Sequence, residues 1–245
     1  GNFFNHTLIK NGTFGICIDS AAIEEDEYRL TFANSQIHNV HQTGLQATCA
    51  NVYAYNSLFT NGLSGCVNLQ GGEYLFNHCT LCSYDKISTL SPFALRISEK
   101  KGWKSDDQTT VEAKFNNCIV TGTQVNELLL QYETLTDAYK IHFDHCLLKY
   151  NGYAKEMMSE QYFTNIIWNG DPQFINSTSS DAGFDYRLNP NSDARNSGTG
   201  DILAGHPELS TDKNAVSRIT DKDPDLGAYQ YVDIVPIEYE KNKTP

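Results

Sequence analysis

No stretch of this sequence approaches the roughly 20 consecutive apolar residues that a membrane-spanning helix requires. That excludes a membrane-spanning helix within these 245 residues, and any export signal or anchor is expected outside them. Positive charge is scarce as well. Lys and Arg number 18 against 30 Asp and Glu, for a net charge of −12 and a pI near 4.9. A surface of that sign disfavours nucleic acid and anionic membrane as partners. It suits an anionic polysaccharide no better unless a cation or a local basic loop intervenes. Cysteine is odd in number, at seven, so at least one thiol stays unpaired in a monomer. The seven positions form no disulfide framework.

In place of these features stands a phrase that recurs six times: aromatic or small, any, Asn or His, small, any, apolar. It opens at Phe4, Phe32, Ala54, Phe76, Phe115 and Phe143. Measured at the small residue (Thr7, Ser35, Ser57, Cys79, Cys118, Cys146), the intervals are 28, 22, 22, 39 and 28. Two adjacent intervals of 22 define the bare repeat, and the longer ones add 6, 17 and 6 residues. Self-similarity at this period marks a repeat architecture. Each repeat carries three short segments of period-two alternation, the pattern of strands with one buried face.

Three strands per turn of about 22 residues predict an all-β fold, a right-handed parallel β-helix. Its coils stack about 4.8 Å apart, so equivalent residues form ladders. The phenylalanines then make one inward ladder, and Thr7, Ser35, Ser57, Cys79, Cys118 and Cys146 another. The cysteines read as small buried fillers kept as free thiols, although the coil spacing also permits a vertical disulfide. The third slot of the phrase holds His6, Asn34, Asn56, His78, Asn117 and His145. It falls at a corner between strands, where Asn tolerates the bend and bonds to its equivalents. That structural role outweighs a metal or acid–base role, because His78 and His145 stand two coils apart.

Residues 1–170 read as coils, with 162–168 as strands of a final coil and 154–161 as a short helix. From Asp171 the pattern changes to turns, so 171–231 reads as a cap of the same domain and 232–245 as a tail. The stretches Asp171-Pro172-Gln173-Phe174, Tyr186-Arg187-Leu188-Asn189-Pro190-Asn191-Ser192, Asn196-Ser197-Gly198 and Asp225-Leu226-Gly227-Ala228-Tyr229-Gln230-Tyr231 resemble the ending of secreted bacterial β-helix proteins of the choice-of-anchor-Q type. Asp193 and Arg195 depart from that ending, as does the long insertion between Gly200 and Lys222. The resemblance implies export, to the surface of a Gram-negative bacterium or beyond, and no particular activity. Such an ending is expected to cover the last coil of the solenoid. Phe4 already sits in coil pattern, so further N-terminal coils or a partner are expected to cover the first coil.

The candidate site lies in the insertions rather than in the repeat. Those at 19–27, 98–110 and 133–139 all follow the third strand, so they emerge from one edge, the usual place for binding in a solenoid. The longest holds Lys101, Trp103, Lys104, Asp106 and Asp107, and Glu25 stands in the neighbouring one. A Trp among mixed charges can stack on a sugar ring and bond its hydroxyls. Polysaccharide recognition is therefore the expected function, without a cofactor. Two alternatives remain open, a lyase-like enzyme on a uronate-containing glycan and a non-catalytic surface stalk. A lyase needs a base beside a group that neutralises the uronate. The residue types are present without a diagnostic spacing, and Ca²⁺ is permitted by the acidic residues but indicated by no motif. The residue series of a polygalacturonase is absent apart from Asp106-Asp107, and no catalytic residue is assigned.

Overall fold

A computed structural model describes residues 1–19, 28–84, 93–99, 110–132, 139–152, 161–178, 183–219 and 222–233. The chain forms a parallel β-helix with a C-terminal capping segment, and consecutive coils pair in parallel throughout. First strands run from Asn2–Asn5, through Leu30–Ala33, to Val111–Asn116, Tyr139–Asp144 and Phe163–Thr164. Second strands build a separate seven-stranded sheet, from Leu8–Lys10 to Ile167–Trp168. Third strands include Ile16–Ile18, Phe93–Ser98 and Leu128–Gln131. Where the interval is the bare 22 residues, no residues separate a third strand from the next first strand. The two then run on as single strands, Thr43–Tyr55 and Gly65–Asn77.

Register confirms the ladders. Phe4 pairs with Phe32, Phe32 with Ala54, Ala54 with Phe76, Phe76 with Phe115 and Phe115 with Phe143. Phe143 then pairs with Phe163, so the phrase occurs a seventh time with Ile166 in the small slot. Rings of the upper coils stack at 4.7–5.4 Å with interplanar angles of 10–16°. At Ala54 the ladder lacks a ring, and Phe59 of the same coil supplies it. Its centroid lies 5.3 Å from Phe32 and 5.8 Å from Phe76. A small–large pair replaces the large–small one of neighbouring coils (Phe32 with Ile37, Phe76 with Leu81), which keeps core volume nearly constant.

The corner slot has left-handed backbone at all seven coils, with φ from 46° to 53°. Asn accepts that conformation more readily than most residues, and the amides bond between coils as expected. Asn56 Nδ2 donates to Asn34 Oδ1 (3.2 Å), and Asn117 Nδ2 meets His78 Nε2 at 3.1 Å. A second such corner, at Asn11, Asn39 and Asn61, was not expected. The small slot serves one hydrogen-bond pattern whether it holds oxygen or sulfur. Ser35 N donates to Ser57 Oγ (3.1 Å), and Cys79 N to Cys118 Sγ (3.4 Å). All seven cysteines are unbridged.

The 17 extra residues of the fourth coil divide between two corners. Phe93 aligns with Gly65 and Val111 with Gly72, so six enter before the third strand and eleven after it.

The C-terminal segment was expected to cover the last coil; its described contacts run instead along the flank of the solenoid. Phe174, Tyr186, Leu188, Ala194, Leu226 and Ala228 form one buried cluster with Leu58, Ile119 and Leu147, which project outward from the second sheet. Phe174–Asn176 and Asp185–Leu188 pair antiparallel within it. Two short 3-10 turns, Asp201–Gly205 and Pro207–Leu209, then lie against the outer face of the first sheet, where Leu209 packs on Ala33, Tyr53 and Tyr55. Leu8 occupies the position of Leu58 in the first coil and is 55% exposed.

Candidate functional site

Trp103, Lys101, Lys104, Asp106, Asp107 and Glu25 lie outside the described residues. The strands on either side of them show where their loops are rooted. Ile16–Ile18 leads to Leu30–Ala33, Phe93–Ser98 to Val111–Asn116, and Leu128–Gln131 to Tyr139–Asp144. All three connections join a third strand to the next first strand, which is one corner of the solenoid. A fourth insertion, at 84–92, separates a second from a third strand and so belongs to a different corner.

The shared corner borders the outer face of the first sheet. Parallel pairing sets outward side chains of that face in rows. One row aligns Asn51, Glu73, Glu112 and Lys140, and the next aligns Tyr53, Leu75, Lys114 and His142. A third aligns Tyr55, Asn77, Asn116, Asp144 and Thr164. The C-terminal turns cover Tyr53 and Tyr55, whereas the upper rungs stay at least partly open to solvent.

On those upper rungs, Lys114 pairs with Glu112 at 2.8 Å, and that hydrogen bond holds the Glu112 carboxyl below its usual range. His142 Nε2 lies 3.0 Å from Thr164 Oγ1. Asp144 Oδ1 engages His145 Nδ1 at 2.8 Å and also accepts from Asn165 Nδ2 (3.5 Å).

The lower end of the face is aromatic. Tyr53 donates to Glu208 Oε1 at 2.6 Å, and His206 Nδ1 reaches the same oxygen at 3.0 Å. Burial, reinforced by the bond to Glu208, raises the Tyr53 phenol far above its ordinary value. Burial works against the Glu208 carboxylate, yet the bonds from Tyr53 and His206 keep it below its usual range. Tyr28 lies over Tyr53 with ring centroids 5.3 Å apart and remains 39% exposed.

Two further polar clusters are buried and belong to architecture. Arg218, 1% exposed, joins the C-terminal segment to the corner ladder. Its Nη2 donates to Asn56 Oδ1 (3.1 Å) and Gly227 O (3.0 Å), and its Nη1 to Gln230 Oε1 (3.3 Å). Burial lowers its pKa to about 10, opposed by the charges of Asp212 and Asp225, so the guanidinium stays charged at neutral pH. Burial, helped by the Arg218 charge, holds His78 well below its normal value and therefore neutral.

Glu127 fills the corner between the second and third strands. Its carboxylate accepts from Gln124 N (2.7 Å) and Ala94 N (3.0 Å). Burial pushes its pKa up to about 8 against those two bonds and the nearby Lys149. Gly122 makes the space: a Cβ there would stand 2.2 Å from Glu127 Oε1.

Among the described residues no group of three His, Cys, Asp or Glu side chains is placed to hold a metal ion. The candidate site is therefore a long polar face with an aromatic lower end. The sequence reading missed its members Tyr28, Glu112, Lys114, Lys140, His142, Asp144, His145 and Glu208. Outward polar positions on first strands were the available signal. The sequence matches no protein-family model, and no curated protein is similar to it.

Proposed function

We propose that this chain binds a polysaccharide along the outer face of its first sheet. One observation carries the reading: ordered rows of hydrogen-bonding side chains, from Glu73 through Glu112, Lys114 and Lys140 to His142 and Asp144, stand on a rigid parallel sheet. Rungs about 4.8 Å apart offer a linear polymer similar groups at regular steps. The 3-10 turns bound the lower part of this face, and the insertions with Glu25, Lys101, Trp103, Lys104, Asp106 and Asp107 are rooted along its other side. Sites on regular strands hold their groups more firmly than loops do. The resemblance of the C-terminal segment to exported β-helix proteins supports a place at or beyond a bacterial cell surface.

The test is retention on gels carrying neutral and uronate polysaccharides. The variant Lys140→Ala/His142→Ala should bind about tenfold more weakly through loss of two hydrogen-bonding groups, with an unchanged melting temperature. A wild-type protein retained by no polymer removes the proposal. The same incubations, followed by the ultraviolet absorbance of unsaturated products, test for eliminative cleavage.

A further inference from the structure

The aromatic end of the face narrows the class of sugar. Tyr28 rests on Tyr53, with ring centroids 5.3 Å apart and a tilt of 33°, and keeps 39% exposure. Glu73 stands near its phenol, and Glu208 and His206 lie against the Tyr53 ring on which it rests. Glu208 spends Oε1 on Tyr53 and His206. Glu73 and Lys114 are the charged groups that act on the Tyr28 phenol, after burial itself. Lys114 is already paired with Glu112.

We infer that Tyr28 is the platform of a subsite for an uncharged sugar ring. The inference rests on the polysaccharide reading above and deepens it. A pyranose has an apolar C–H face and a rim of hydroxyls, and this site offers an aromatic face with the Glu73 carboxylate near it and the polar groups of Glu208 and His206 on the neighbouring Tyr53. A purely apolar ligand would strip water from Glu73 without replacing its hydrogen bonds. A uronate would meet the Glu73 carboxylate, while Lys114 is already engaged by Glu112, so like charge disfavours it. The net charge of −12 adds to that rejection at long range. The competing occupant is a cation, because an aromatic face beside carboxylates also attracts ammonium groups.

Affinity electrophoresis separates these cases, with glucan, xylan and mannan as neutral probes, polygalacturonate and alginate as uronate probes, and chitosan as the cationic one. The wild-type protein should be retarded by at least one neutral polymer. Tyr28→Ala should weaken that binding about tenfold, in keeping with the worth of an aromatic stacking contact. Tyr28→Leu keeps apolar cover over Tyr53 but lacks the π face, so it should lose binding while melting like wild type. Tyr28→Phe should bind within about twofold of wild type, since the ring face is retained. Retardation confined to uronate polymers or chitosan overturns the subsite and leaves polysaccharide binding standing. So does a Tyr28→Leu protein that binds normally while Lys140→Ala/His142→Ala does not. Retardation by no polymer overturns both.

Discussion

His78 and His145 occupy the same slot of the same repeat and share a backbone conformation, with φ of 50° and 46°. Their surroundings are opposite. His78 is fully buried beside Arg218 and held neutral, whereas the side chains of His145 and Asp144 each keep 25% exposure. The repeat sets the bend; what lies outside the coil sets the chemistry. Where the C-terminal segment covers the flank, the slot becomes part of an interior. Where no described residue covers it, the same slot can meet a ligand.

Removing the cover should have the largest effect. Arg218→Ala leaves Asp212 and Asp225 without their buried cation and should cost about 3–5 kcal/mol in urea unfolding. In contrast, His145→Asn, which installs the residue found at corners 34, 56, 117 and 165, should stay within about 0.5 kcal/mol of wild type. A comparable loss at both positions would erase the distinction between the two regions.

Next is the pH dependence contributed by Glu127. Its folded pKa of about 8 lies above the ordinary glutamate value of 4.5. The folded carboxyl holds its proton up to about 8, so its stabilising contribution is complete below 4.5 and is lost as pH rises from there through about 8. The urea midpoint of wild type minus that of Glu127→Gln should decline across this window and level off above it. A flat difference would mean that the two backbone donors keep the carboxylate ionised.

A smaller effect tests the core exchange at Ala54 and Phe59. Ala54→Phe alone should overpack and cost about 1–3 kcal/mol. Adding Phe59→Ile should recover most of that loss, because the pair then resembles Phe32 with Ile37. Strict additivity in the double mutant would show that the two positions do not share one space.

The smallest effect belongs to the thiol ladder. Cys118→Ser should shift stability by no more than about 1 kcal/mol, since Ser57 already makes the equivalent contact. Cys118→Val, though more apolar, should cost more, because Cys79 N would lose its acceptor.

Much of the fold was legible because packing repeats at fixed register, so Phe32, Phe76 and Phe115 declare one ladder. The seventh coil was harder to place because Ile166 breaks the small slot. The division of the fourth coil's insertion was hidden because an interval reports only a sum. The flank cover did leave a trace. Leu58-Phe59, Ile119-Val120 and Leu147-Leu148 are apolar on both faces of their strands, the mark of a strand buried twice. That pattern points to something packed outside the second sheet. The aromatic end of the site left no such trace. Tyr28 and Tyr53 meet through the stacking of adjacent coils, but Glu208 joins them only because the chain returns along its own side, and no spacing in the sequence encodes that return.

Hydrogen–deuterium exchange with a bound neutral polysaccharide tests most directly whether function resides on the uncovered face. Protection should rise in peptides spanning 28–33, 110–116 and 139–145, while the covering segment at 183–199 stays unchanged. Protection confined to that segment, or to the first coil at 2–18, would contradict the account.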